Sequence, residues 1–167
     1  MEVLIIKLMV FKKKYNTNIS EISFVNDFNF LSKPLFTKSG IKNDFNLFFK
    51  NANQDGKISP KYKDDLSSDL YTSLILNSSL PLKKETIGYE SKFTPKISLR
   101  LSPARSENLT DKVRRIDIVN IFSDNRLGLS ESLEGGQSLT VGSEYNLMKK
   151  NGSDIFNINI ADRKSVV

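Results

Sequence analysis

The sequence predicts an all-β chain, an antiparallel meander of about eight long strands, on three observations. Apolar and polar residues alternate with period two in window after window, turn signals rich in Gly, Pro and Asn separate nearly every pair of windows, and no window carries a 3.6-residue apolar period. The windows run to about 9–12 residues, longer than the five or six usual in globular sheets and matched to a tilted strand crossing a bilayer. Length and alternation together predict the wall of a transmembrane barrel, read here as one segment over residues 1–167.

The first element is Val3 to Phe11, nearly all apolar. A secretory signal carries its positive charge before the apolar run, whereas here Glu2 precedes it and Lys12, Lys13 and Lys14 follow. A membrane helix needs about 20 apolar residues, so this short run reads as a strand. In Ile22 to Leu31, Ile22, Phe24, Phe28 and Phe30 oppose Ser23, Asp27 and Asn29, and in Ile41 to Asn51, Ile41, Phe45, Leu47 and Phe49 oppose Lys42, Asp44, Asn46 and Lys50. Leu66 to Asn77 repeats the pattern through Leu70, Leu74 and Leu76, and Lys92 to Leu101 through Phe93, Ile97, Leu99 and Leu101. Arg115 to Phe122, Ser138 to Met148 and Asp154 to Ala161 complete the set.

Turns are expected at Pro34 to Gly40, Asp55-Gly56, Ser78 to Pro81, Pro103 to Asp111, Gly128 to Gly136 and Asn151-Gly152. Asn151-Gly152, between two alternating windows, predicts a tight hairpin because both residues tolerate positive φ. Phe11, Tyr15, Phe36, Tyr62, Tyr71, Tyr89, Phe93 and Tyr145 fall near strand ends, where barrel girdles sit and where ordinary strands also terminate.

Composition removes much chemistry. With no Cys and no His, disulfides, thiolate nucleophiles, most zinc sites and imidazole acid/base catalysis are excluded. The +6 balance of 25 Lys+Arg against 19 Asp+Glu is compatible with nucleic acid, an anionic lipid surface or no specific partner, but basic and aromatic residues are not gathered as a nucleic-acid module gathers them, so no nucleic-acid partner is expected. Residues Asn51 to Tyr62 imitate a calcium loop through Asn51, Asn53, Asp55 and Gly56. Position twelve is Tyr62 where a bidentate Glu is required, so an Asp-Gly turn between strands is the expectation. Four Asn-x-Ser/Thr triplets, beginning at Asn18, Asn77, Asn108 and Asn151, are what an Asn- and Ser-rich chain produces by chance. Arg114, Arg115, Asp117, Asp124, Arg126, Glu131 and Glu134 form the densest charge cluster, either an exposed ion-pair network or charge aimed into a wet barrel lumen. No nucleophile stands with a base, so no enzymatic site, metal or cofactor is expected.

The segment NIFSDNRLGLSESLEGGQSLTVGSEY resembles the C-terminal barrel region of the outer-membrane LPS-assembly protein (LptD, OstA) family, whose pattern is approximately N-L-F-x-x-N-R-x-x-G-x-D-x-x-E-G-G followed by a strand. Asn120, Phe122, Asn125, Arg126, Gly128, Glu134 and Gly136 carry the match, best over residues 114–145, and SLRLSP from Ser98 to Pro103 resembles the strand end before it. Ser130 stands near where the family favours Asp. The ends, residues 1–14 and 162–167, do not resemble barrel edges, so an internal piece of a larger barrel is expected. The resemblance implies a non-enzymatic role in the outer membrane: lipopolysaccharide (LPS) is received from a periplasmic Lpt bridge and inserted into the outer leaflet by a barrel plugged by an LptE-like lipoprotein. Two other readings stay open: a self-contained small outer-membrane or lipocalin-like barrel, and a soluble β-sandwich.

Overall fold

The computed structural model describes residues 3–14, 18–103 and 115–166. Tyr15, Arg114, the Asn108 triplet and most of the turn expected at Pro103 to Asp111 lie outside them. Among the described residues the chain is all-β, without helix, and forms one antiparallel sheet of nine strands that is not closed into a barrel. The strands are β1 (Val3–Lys14), β2 (Ser20–Leu31), β3 (Leu35–Phe36), β4 (Lys42–Lys57), β5 (Ser67–Ser79), β6 (Leu82–Thr86), β7 (Tyr89–Ser102), β8 (Gly136–Lys149) and β9 (Asp154–Val166). Sheet order is β1-β2-β4-β5-β7-β8-β9, with β3 on β4 and β6 on β7. Each long strand thus pairs with its sequence neighbour, as a meander requires, and β1 and β9 are left as the two edges. The first and last strands do not meet, so the sheet is not the small closed barrel that was one of the open readings.

Two expectations are corrected. Arg115 to Phe122 alternates like a strand but forms turns, because its short polar side chains capture the backbone. The Val119 N–H donates to Asp117 Oδ1 and the Asp117 N–H to Asn120 Oδ1, both at 2.9 Å, and the Ile121 N–H closes on the Asp117 carbonyl at 2.9 Å. Asp55-Gly56 is no turn: both residues lie in β4, and the chain reverses only after Lys57. There the Ile58 N–H donates to Asp64 Oδ1 at 2.9 Å and the Gly56 N–H to the Lys63 carbonyl at 3.0 Å. Gly56 is needed for space, since a Cβ would lie 2.9 Å from both Tyr62 Cβ and the Tyr62 carbonyl. Beside the long strands, Pro34 to Gly40 contains the short β3, and the short β6 turns tightly into β7 through Gly88 at φ +88. The Asn151-Gly152 hairpin forms as expected, with Gly152 at φ +85 and its N–H on the Lys149 carbonyl.

Pro95 sits inside β7, where a proline ordinarily breaks a ladder. Its carbonyl accepts the Leu80 N–H at 3.1 Å, so its nitrogen also faces away from β8. On that side β5 pairs with β7 no further than Lys96 and β6 takes over only at Phe93, so the missing N–H falls in the gap.

The two faces of the sheet are inverted relative to a soluble fold. Phe24, Phe28, Phe45, Phe49, Leu70, Leu76, Ile97, Leu99, Leu139, Val141, Ile158 and Ile160 share one parity and are exposed. The opposite parity is buried yet largely polar, including Ser23, Asn46, Lys50, Ser73, Ser98, Arg100, Ser138 and Thr140 beside Val25, Phe48, Ala52 and Ile75. Adjacent residues make the contrast plain: Phe49 is 36% exposed and Lys50 1%. An uncovered apolar face of this extent is foreign to a monomer surrounded by water.

Candidate functional site

What covers the polar face is the connection from β7 to β8. It leaves at Ser102 and returns at Gly136, two residues that pair directly, so an excursion of more than thirty residues begins and ends at one point of the sheet. Its described part, residues 115–135, folds back over the polar side, with Ile121, Leu129 and Leu133 buried beneath it.

The residues that carried the family resemblance are the ones that shape this loop. Asn120 ties the first turn, its Nδ2 donating to the Arg115 carbonyl at 2.9 Å. Phe122 lies over β8: a Cβ on Gly142 would stand 2.9 Å from its Cζ and 2.7 Å from the Ile160 carbonyl, so the glycine makes room for both. Asn125 closes the second turn with both ends of its amide: Nδ2 donates to the Leu129 carbonyl at 2.7 Å and Oδ1 accepts the Leu129 N–H at 3.0 Å. Gly128 at φ +59 and Gly136 at φ +90 hold conformations that side chains resist.

Arg126 and Glu134 meet inside the site. Arg126 Nε lies 3.1 Å from Glu134 Oε2, and its Nη2 donates to Ser138 Oγ at 3.0 Å. Two strand residues join them. Arg163 Nη1 reaches Glu134 Oε1 at 2.9 Å, and Arg100 Nη1 donates to the Glu134 carbonyl at 2.8 Å while standing 3.9 Å from Oε2. Burial lowers the pKa of Arg126, and Glu134 only partly offsets that, yet a guanidinium remains charged at any physiological pH.

Two further fastenings hold the loop. Lys50, directly opposite Asp27 in the ladder, places Nζ 2.8 Å from Asp27 Oδ1 and donates to the Ser130 carbonyl at 3.0 Å. Lys61 Nζ lies 2.8 Å from Glu131 Oε2, and the Tyr62 hydroxyl also donates to Glu131. Asn29 Nδ2 adds a long bond to Asp124 Oδ2 at 3.3 Å.

The charge cluster read from the sequence is therefore dispersed. Arg126 and Glu134 meet, Asp124 and Glu131 each find a different strand or turn, and Arg115 and Asp117 serve the local turn. Their partners Asn29, Lys61, Tyr62, Arg100 and Arg163, and Lys50 on the Ser130 carbonyl, were missed as site residues. The one available signal was a Lys or Arg on the polar parity of a strand, as at Lys50 and Arg100, which soluble and lumenal sheets share. Asn51, Asn53 and Asp55 stay within β4, and no cluster of three metal-ligating side chains occurs among the described residues.

The Glu131 fastening responds to pH. Burial opposes ionisation of Glu131, but hydrogen bonds from Lys61 and Tyr62 outweigh it and bring the pKa below its ordinary 4.5. Burial likewise opposes the Lys61 charge, yet the Glu131 and Tyr62 bonds raise its pKa above 10.5. A depressed carboxylate stabilises the folded state above its unfolded pKa and loses that contribution as pH falls through the folded one; a raised ammonium loses its own as pH rises through its folded pKa. Loop attachment here should be flat between these limits and weaken beyond both. Carbon-13 NMR of the Glu131 carboxyl should titrate below 4.5 and move with the Leu129 and Leu133 signals; a midpoint at or above 4.5 contradicts the assignment.

No protein-family model matches the chain, and no curated protein matches it in sequence. The fold and the loop define the class as a single open antiparallel sheet, apolar on its uncovered face, with a long loop fastened across its polar face.

Proposed function

We propose that the chain is a stretch of the wall of an outer-membrane β-barrel of the LPS-assembly (LptD, OstA) kind. In that role it takes part, without catalysis, in moving LPS into the outer leaflet, alongside a lipoprotein plug and a periplasmic bridge. The observation that carries this reading is the inverted sheet: the uncovered parity is apolar and the covered parity holds Lys50 and Arg100, with Arg126 reaching it from the loop, the arrangement of a wall between lipid and a wet lumen. Two features support it. The sheet has unpaired edges at β1 and β9 that further strands would satisfy in a bilayer, and the residues resembling the family pattern each have a part in the loop.

The chain has no Trp, so a single introduced Trp reports one position. Ile158→Trp and Asn157→Trp place the probe on opposite faces of β9, next to Tyr145 and Asn146 respectively. In vesicles of brominated phospholipid, Ile158→Trp fluorescence should be quenched severalfold more than that of Asn157→Trp. Equal quenching would sink the membrane reading. For the LPS part, a benzophenone side chain at Asn159, on the polar parity, should cross-link to LPS in cells that make it, and absence of that product would remove LPS as cargo.

A further inference from the structure

The geometry points to an oxyanion site at Arg100, Arg126 and Arg163, in which the Glu134 carboxylate is a resident, displaceable anion and a phosphate group is the ligand that replaces it. Arg163 engages Glu134 Oε1 at 2.9 Å and Arg126 engages Oε2 at 3.1 Å. Arg100 reaches Oε2 only at 3.9 Å, beyond a hydrogen bond, and settles for the Glu134 backbone carbonyl. Its Nε and Nη2 are buried and have no hydrogen-bond partner among the described residues, although Arg100 as a whole is only 3% exposed. Leaving charged N–H groups dry is costly, and a tetrahedral phosphate, with its oxygens spread in three dimensions, can reach donors that the planar Glu134 carboxylate leaves unmet.

Charge agrees. Three guanidinium groups face Glu134 and, at longer range, Asp124, which Asn29 already holds, so the cluster stays net positive. Access is through Glu134 itself. Its side chain is 17% exposed and that of Arg163 20%, while Arg100 and Arg126 are closed off behind them. An incoming phosphate therefore exchanges with the carboxylate, and because Glu134 belongs to the loop, exchange loosens the loop from the wall. The site does not depend on whether the apolar face meets lipid.

The test uses the full chain refolded in neutral detergent, its sheet verified by circular dichroism, with inorganic phosphate as the probe. Calorimetry should show Glu134→Gln binding phosphate about tenfold more tightly than the native chain, because the competitor is gone while the arginines remain. Arg163→Gln, at the exposed edge of the site, should weaken binding about tenfold. In the native chain, phosphate at fixed ionic strength should speed amide exchange at Gly128 and Leu129, and chloride should not. Dodecyl phosphate, run in parallel, separates the sources: a larger effect than that of inorganic phosphate marks a lipid headgroup, an equal one free phosphate. Glu134→Gln binding no tighter than the native chain, or loop exchange indifferent to phosphate, overturns the proposal. Failure here leaves the tryptophan quenching result untouched, so the two readings fail separately.

Discussion

Asp27→Ala is expected to lower the unfolding free energy of the sheet by about 3–5 kcal/mol, the cost of leaving a buried ammonium without its counter-ion. Lys50 is 1% exposed, and its only described polar contacts are Asp27 Oδ1 at 2.8 Å and the Ser130 carbonyl at 3.0 Å. One neutral carbonyl offsets a small part of the desolvation of a full charge, on the order of 1–3 kcal/mol for a charged hydrogen bond. The pair is fixed by the ladder, because Asp27 and Lys50 are direct cross-strand partners between β2 and β4, so the sheet cannot relax toward water without losing register. Removing the charge as well should restore most of the loss: Asp27→Ala with Lys50→Met leaves no buried ion, at the cost of the bond to Ser130. Urea unfolding of the refolded chain in detergent measures both. A loss under about 1 kcal/mol for the single substitution would mean that water reaches Lys50 and that the loop does not seal this part of the face.

The sheet was legible in the sequence because one parity stays apolar and the other polar over windows long enough to fix register, as in Ile22 to Leu31. Which parity would be covered was not legible, since a soluble sheet and a lumenal wall write the same alternation. The ends of β4 were misread for a physical reason: Asp55-Gly56 carries the composition of a turn, but Gly56 is required by the approach of Tyr62. Arg115 to Phe122 was misread because Asp117 and Asn120 compete for the backbone through their side chains, which alternation does not register. At the site, the loop residues were found through a resemblance in sequence, whereas Arg100, Arg163 and Lys50 lie on separate strands and come together only through pairing. Gly142 gave no signal, because its role depends on how closely the Ile160 carbonyl of β9 and the Phe122 ring approach it.

Loop and sheet are joined at a few charged fastenings, and cutting one of them should separate the two without unfolding the sheet. Arg126→Ala removes the bond to Glu134 Oε2 and the bond to Ser138 Oγ, both made by a side chain that is 2% exposed. Arg163 still neutralises Glu134, so the loss falls below the sum for two charged hydrogen bonds at roughly 1.5–3 kcal/mol each and comes to about 2–3 kcal/mol. That energy belongs to loop attachment, because the ladder from Tyr89 to Ser102 against β8 is made by backbone groups that Arg126 does not touch. Amide exchange at Gly128 and Leu129, whose N–H groups are held within the Asn125 turn, should accelerate by roughly 30- to 150-fold. Exchange at Ile97 and Val141, paired in the centre of the sheet, should stay within about twofold of the native chain. Arg126→Lys keeps the charge but has no fork to reach Glu134 and Ser138 together, so it should fall between the two. If loop and sheet amides accelerate together, the loop is an integral layer of the fold; if neither does, the Arg126 contacts do not hold it.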